Sequence, residues 1–131
     1  MKNFDFVGER LGGDALQLVA LDLRGRGNSE TTPPGSYGWE NHALDVFAVA
    51  DALGFEQFSL VGQSMGGSVA IKAAELNGSR LDAVVLIDVA GRVDRGVGAV
   101  IASVMSRIDE VYDSVERYVD AVRAEGLVAP W

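Results

Sequence analysis

The chain has 131 residues, of which 48% are hydrophobic, so it is long enough for one globular domain or part of one. Its formal net charge of −8 argues against nucleic-acid binding, because recognition of phosphates needs a basic surface. The absence of cysteine excludes disulfides and thiolate metal sites, and a single histidine excludes most imidazole clusters, so we expect no metal and no cofactor.

Neither a secretion signal nor a membrane segment is evident in the sequence. The first residues, MKNFDFVGERLGG, include acidic side chains and no long apolar run. The weakly polar stretch 97–105 is well short of the roughly 20 residues that cross a bilayer. We therefore expect a cytoplasmic protein with no membrane partner.

The apolar residues alternate between strand runs and helical faces, which predicts an α/β fold with a parallel sheet. A short helix is expected at Phe4–Leu11, ended by the glycines at 12 and 13. The continuous apolar run LQLVALDL, Leu16 to Leu23, predicts a first strand.

The middle of the chain predicts one loop, two helices and two further strands. Residues 24–38 are rich in glycine, proline, serine and threonine and predict a loop. The following segment places apolar residues on one helical face and stops at Gly54; these residues are Ala43, Val46, Phe47, Ala50 and Leu53. FSLVG predicts a second buried strand, a helix runs from Ser64 to about Leu76, and AVVLIDVA, 83–90, predicts a third strand.

The pattern changes to two amphipathic helical stripes after Gly91, with no further strand. One stripe runs from Val97 to Ile108, and the second runs from Val111 to Val122 and stops at Gly126. We therefore expect two regions: a partial α/β core at 1–91 and a helical segment at 92–131.

A serine between glycines follows the second of these strands. The sequence GQSMG, residues 62–66, fits the G-x-S-x-G pattern, with a predicted strand before it and a helix after it. A sharp reversal at Ser64 would strain the backbone, and side chains at Gly62 and Gly66 would collide with the turn. A third glycine, Gly67, adds to the pattern.

This geometry predicts that Ser64 is a nucleophile. The backbone N–H of Met65, at the start of the following helix, would then supply half of an oxyanion hole. The alternative is a glycine-rich turn between strand and helix in which the serine is incidental.

A second motif is LDLRGRGNS, residues 21–29. Asp22 is expected to end the first strand, and Arg24, with Gly25 and Gly27 beside it, can fold back to bind loop carbonyls or a carboxylate. No G-x-x-x-x-G-K-[ST] pattern is present, so a phosphate-binding loop of that type is excluded.

These segments, with DALGFEQ, FSLVGQSMGGSVAIKAA and VVLIDVAGR following in order, resemble the α/β-hydrolase superfamily, close to its serine esterase, haloperoxidase-like and epoxide-hydrolase-like branch. The resemblance covers about residues 4–93, and the last helices resemble the start of the family's cap domain. It implies that Ser64 is the nucleophile, that Met65 donates to the oxyanion and that Gln63 occupies a position often held by histidine. A serine nucleophile favours an ester or similar small acyl substrate.

The resemblance also shows what this sequence lacks. In the family a histidine base follows the serine late in the chain, yet no histidine follows Ser64 here, and His42 precedes it. His42 is expected to be a surface or loop-packing residue at a helix start, and Asp88 is the best candidate in this chain for the catalytic acid. The hydrolase is therefore expected to be complete only in a longer chain; the alternative is a catalytically inactive relic or an interaction module.

The same resemblance implies a missing strand between the Leu16 strand and the Phe58 strand. An empty position in a sheet leaves backbone N–H and C=O groups without partners. We therefore expect that this chain could self-associate through unpaired strand edges.

Overall fold

The computed structural model describes residues 2–13, 16–89, 95–106 and 110–124. The chain divides into two compact units, Met1–Ala90 and Gly91–Trp131. The first contains α1 (Lys2–Leu11), α2 (Trp39–Ala52), β1 (Phe58–Gln63), α3 (Met65–Asn77), a 3-10 turn (Gly78–Arg80) and β2 (Leu81–Ile87); the second contains α4 (Arg95–Met105) and α5 (Val115–Ala124). The predicted boundary at 91 and 92 and the predicted stop at Gly126 lie outside the described residues.

The two strands form a parallel pair, as the sequence predicted. Their register runs from Phe58 opposite Leu81 to Gln63 opposite Ile87. A hydrogen bond of 2.9 Å from the Ser64 N–H to the Ile87 carbonyl continues the pairing one residue beyond β1. The residues that follow the two strands therefore lie together at the carboxyl ends of the strands, where α/β folds place their binding sites.

Helices α2 and α3 pack together over one face of this sheet. Their buried residues form a small core, made of Ala43, Phe47, Val69 and Ala73. The rings of Phe47 and Phe58 meet edge to face, with centroids 6.1 Å apart. The predicted apolar face of α2 is confirmed in part, because Ala50 is buried as well while Leu53 is exposed.

The end of α2 follows from its glycine. Gly54 has a φ of 76°, in the left-handed region that glycine adopts without steric cost. Its N–H bonds to the Asp51 carbonyl, and the N–H of Phe55 bonds to the Ala50 carbonyl. These two bonds form a Schellman motif, which confirms Gly54 as the predicted stop.

The predicted strand at 16–23 is wrong. Residues 17–23 form no ladder with any described residue, and Leu16 makes only an isolated antiparallel bridge to Gly13. A run of apolar residues becomes a strand only when a neighbour accepts and donates its hydrogen bonds. Neither β1 nor β2 pairs with this run, so Asp22 follows an irregular segment and not a strand.

Apolar side chains remain exposed on the other face of the sheet. Val61 is 51% exposed, whereas Gly62 next to it is buried under α3. Helices α4 and α5 confirm the two predicted helical stripes in part, because Ile108 lies outside the described residues and Val111 precedes α5. The helix begins only after Ser114, whose hydroxyl accepts the Arg117 N–H, so Val111 is 94% exposed. On α5, Val115 is 73% exposed and Tyr118 53%. Within the described residues, every helix is too short or too polar to cross a bilayer.

Candidate active site

Ser64 occupies the sharp turn between β1 and α3. Its φ of 48° and ψ of −114° place a non-glycine residue in a region that L-amino acids rarely adopt. The side chain is exposed, and its Oγ makes no hydrogen bond with any residue that the structure describes. Such a strained position typically marks a functional residue, because a serine with no special role gains nothing from the strain.

Two glycines around this turn are required by close contacts. A Cβ on Gly62 would overlap the carbonyl oxygen of Gly66, which is backbone and cannot move aside. A Cβ on Gly67 would overlap the side chain of Val89. The expected collision at Gly66 is wrong, since a Cβ there would meet nothing within 4 Å; the helix simply points this position outward.

The first amides of α3 lie beside the serine. Ser64 accepts the N–H of Gly67 at 2.9 Å and that of Ser68 at 3.2 Å through its backbone carbonyl. The N–H groups of Met65 and Gly66 precede these bonds in the first turn, where no intrahelical acceptor exists. Among the described residues no atom accepts a hydrogen bond from either N–H group, so the Met65 N–H is available to a negatively charged oxygen.

Asp88 lies at the same sheet edge as Ser64. It directly follows Ile87, whose carbonyl accepts the Ser64 N–H. Its φ of 55° is left-handed, a conformation that aspartate tolerates better than most residues. The side chain is exposed, and no hydrogen bond joins it to another described residue. The structure thus places Asp88, the candidate acid, at the same carboxyl end of the sheet as Ser64, and no hydrogen bond joins their side chains.

Arg24 fixes the loop after residue 23 to α2. Its Nε and one terminal nitrogen donate to the two carboxylate oxygens of Asp45 at 2.6 and 2.5 Å, and the other donates to the Ser36 carbonyl at 2.7 Å. The hydrogen bonds from Arg24 hold the pKa of Asp45 below its ordinary value. Arg24 therefore binds both partners that the sequence allowed, a loop carbonyl and a carboxylate.

Asp22 and two glycines complete this loop. The Asp22 carboxylate accepts the N–H of Asn28 at 3.0 Å, which lowers the pKa of Asp22. A Cβ on Gly27, whose φ is 55°, would overlap that carboxylate, and one on Gly25, whose φ is 72°, would lie 2.8 Å from the ring of Tyr37. Only glycine at positions 25 and 27 therefore leaves room for the side chains of Tyr37 and Asp22, which close the loop.

His42 packs inside this loop. It is 5% exposed, its ring lies edge to face with that of Tyr37 at 6.4 Å, and its Nδ1 has no hydrogen-bond partner among the described residues. Burial lowers the pKa of His42, and the positive charge of Arg24 acts in the same direction. Of the two expectations, surface or loop packing, the structure supports loop packing.

Three contacts at the site were not predicted from the sequence. The Asp45 carboxylate accepts hydrogen bonds from Arg24, which lies 21 residues earlier in the sequence, and the Val89 side chain packs against Gly67. Arg26 reaches Met65, its terminal nitrogen lying 3.3 Å from the Met65 sulfur. A charged residue between two glycines was the only local signal for Arg26, and no local signal existed for the other two.

The strand, the strained serine and the following helix occur in a recognised order. The family model for the alpha/beta hydrolase fold matches residues 3–125 of this chain. The chain belongs to the alpha/beta hydrolase family. Membership accounts for the parallel strands and for the turn that carries Ser64, which is the hallmark of this fold.

Relatives within the alpha/beta hydrolase family include named enzymes. The chain is 43% identical over 83 residues to N-formylmaleamate deformylase of Pseudomonas putida, which is 63% of this chain and 31% of that protein. It is 36% identical over 78 residues to 2-hydroxymuconate semialdehyde hydrolase of Pseudomonas putida, which is 57% of this chain and 27% of that protein. The matched regions thus span about a third or less of these relatives.

A solved alpha/beta hydrolase has the same arrangement. The crystal structure of an alpha/beta hydrolase from Novosphingobium aromaticivorans superposes with a TM-score of 0.70 at 30% sequence identity. The superposition covers 78% of this chain and 36% of that one. Both the sequence and the fold therefore agree with the family assignment.

Proposed function

We propose that this chain carries the nucleophile of a serine hydrolase that acts on an ester or similar small acyl substrate. The observation that carries the proposal is Ser64 itself, an exposed serine held at a φ of 48° where a parallel strand meets a helix. The named relatives, a deformylase and a semialdehyde hydrolase, support hydrolysis as the class of reaction.

The reaction begins with the Ser64 hydroxyl. Its oxygen forms a bond to the acyl carbon while a base takes its proton, and the carbonyl oxygen becomes an anion that the Met65 N–H can bind. The C–O bond to the leaving group then breaks as the base returns the proton to the leaving alcohol. Water hydrolyses the acyl-serine in the same two steps and releases the carboxylic acid.

The base is proposed to be a histidine outside this sequence. His42 is the single histidine of the chain; it is buried beside Tyr37, and no hydrogen bond joins it to Ser64 in the described part of the chain. A serine hydroxyl without a base is a weak nucleophile at neutral pH. Asp88, at the same sheet edge as Ser64, is the candidate in this chain for the acid that orients such a histidine.

A second candidate is a protein without catalytic activity that binds partners. Two observations favour it: no described base contacts Ser64, and the apolar residues Val61, Val85 and Ile87 of the sheet remain 43–51% exposed. Among the described residues β1 and β2 pair only with each other, so each strand keeps one unpaired edge through which such a protein would self-associate.

Steady-state hydrolysis of p-nitrophenyl butyrate by the protein expressed from its own gene separates the two. We expect turnover that the Ser64→Ala variant reduces by about a thousandfold or more. The matched Ser68→Ala variant, which removes a serine on α3, should keep the wild-type rate. Hydrolysis that is absent, or equal in the Ser64→Ala variant, would contradict the proposal and favour the second candidate.

A further inference from the structure

The backbone of Arg26 is fixed on both sides. Gly25 and Gly27 flank it with left-handed φ values of 72° and 55°. Its N–H donates to the Leu23 carbonyl at 2.9 Å, and its carbonyl accepts the N–H of Ser29 at 3.0 Å. The turn therefore presents one side chain outward from a backbone whose hydrogen bonds are satisfied.

The guanidinium of Arg26 meets the residue next to Ser64. One terminal nitrogen lies 3.3 Å from the sulfur of Met65, and a thioether is a weak acceptor. Among the described residues no carboxylate or carbonyl accepts a hydrogen bond from this guanidinium. Arg24, two positions earlier, differs in that its guanidinium is satisfied by Asp45 and the Ser36 carbonyl.

An arginine in this situation is suited to an anion. Its planar group presents two parallel N–H donors that match the two oxygens of a carboxylate. The chain has a net charge of −8, so its general field repels anions, and a cation at the side chain of Met65, the residue after Ser64, offsets that repulsion locally. The Arg26 side chain is not needed to close the loop, because the hydrogen bonds of Arg24 and Asp22 already do so.

We propose that Arg26 binds a carboxylate carried by the acyl part of the substrate, which is the part whose carbonyl carbon reacts with Ser64. The substrate class is then a monoester, or a related monoacyl derivative, of a short dicarboxylic acid. This inference rests on the proposed function for the identity of the reacting atom, but the carboxylate contact itself does not require turnover.

Binding is measured with the inert Ser64→Ala protein and monomethyl succinate as the probe, titrated by NMR. We expect the Arg26→Gln variant to raise the dissociation constant at least about tenfold, with partial recovery in Arg26→Lys, which keeps the charge without the planar pair of donors. The Lys72→Gln variant makes the same change in charge on α3, eight residues beyond Ser64, and should leave the constant unchanged. The proposal would be overturned if the dissociation constant were the same in Ser64→Ala and in all three variants made on it. A rise for Lys72→Gln as large as that for Arg26→Gln would overturn it as well.

A second comparison separates this proposal from the proposed function. The mono-p-nitrophenyl ester of succinic acid ends in a carboxylate, and the p-nitrophenyl ester of 4-methylpentanoic acid ends in an uncharged isopropyl group of similar shape. In a protein with Ser64-dependent hydrolysis, Arg26→Gln should lower kcat/KM about tenfold or more for the succinate ester and leave the neutral ester within about twofold. Equal effects on both esters would overturn the role of Arg26 while leaving Ser64 as the nucleophile. Binding that depends on Arg26 in a protein without hydrolysis would support Arg26 and contradict the hydrolase.

Discussion

The Ser64 turn and the loop of residues 22–36 are held in position by different means. The loop is closed by side chains, with Asp22 accepting the Asn28 N–H and Arg24 bridging to Asp45. The turn is closed by backbone contacts that Gly62 and Gly67 permit. A lost side-chain bond can be replaced in part by water, whereas an added Cβ that overlaps backbone cannot be accommodated without moving the turn. Substitutions should therefore be tolerated better in the loop than in the turn.

The largest effect is expected for Gly62→Ala. Its Cβ would overlap backbone atoms of Gly66 and Gly67, so the turn must open, at a cost of about 3 kcal/mol in the free energy of unfolding. Urea denaturation measures the change. The matched Gly66→Ala variant adds the same methyl group where nothing lies within 4 Å, and it should be neutral or slightly stabilising. Equal losses in the two variants would show that the turn does not depend on close backbone contact.

A smaller effect is expected for Gly67→Ala, because the atom it meets belongs to a side chain. Its Cβ would overlap Cγ1 of Val89, and we expect a loss of about 1–2 kcal/mol. Combining it with Val89→Ala should recover at least half of that loss, which a double-mutant cycle of unfolding free energies measures. Strictly additive losses would contradict the contact between these two residues.

The loop is tested through its ion pair. Arg24→Gln leaves the partly buried Asp45 carboxylate without its two donors, and we expect a loss of about 1–2 kcal/mol in the free energy of unfolding. Asp45→Asn should cost less, and the double variant should cost less than the sum of the two. The same cycle in urea would contradict the account if the two losses simply added.

The smallest effect is a pH dependence from His42. Burial lowers the pKa of His42 in the folded state, so the unfolded chain binds the proton more readily, and stability should fall as pH drops below the ordinary value of about 6.5. The slope between pH 6.5 and 5.5 should be at most about 1.4 kcal/mol per pH unit. His42 is the single histidine of the sequence, so the His42→Gln variant should lose this slope in urea denaturation. A slope that persists in the variant would assign the titration to other groups.

The sequence predicted the elements that depend on local signals. The Ser64 turn follows from glycine spacing, and the end of α2 follows from Gly54 in the left-handed region. The strand at 16–23 failed because a strand is defined by its neighbour, and apolar content cannot indicate whether a neighbour is present.

Long-range contacts were equally inaccessible to the sequence. Asp45 lies 21 residues from Arg24, and Arg26 lies 39 residues from Met65. Gly66 shows the converse error, since a motif glycine need not be sterically required. Pattern therefore located the serine, and packing decided which residues surround it.

Whether Ser64 is a nucleophile is measured by intact-mass spectrometry of the protein, expressed from its own gene, after incubation with a fluorophosphonate. We expect one adduct on the wild-type protein and on the Ser68→Ala variant, and none on Ser64→Ala. An unmodified wild-type protein, or an adduct that persists in Ser64→Ala, would contradict the proposed role of Ser64.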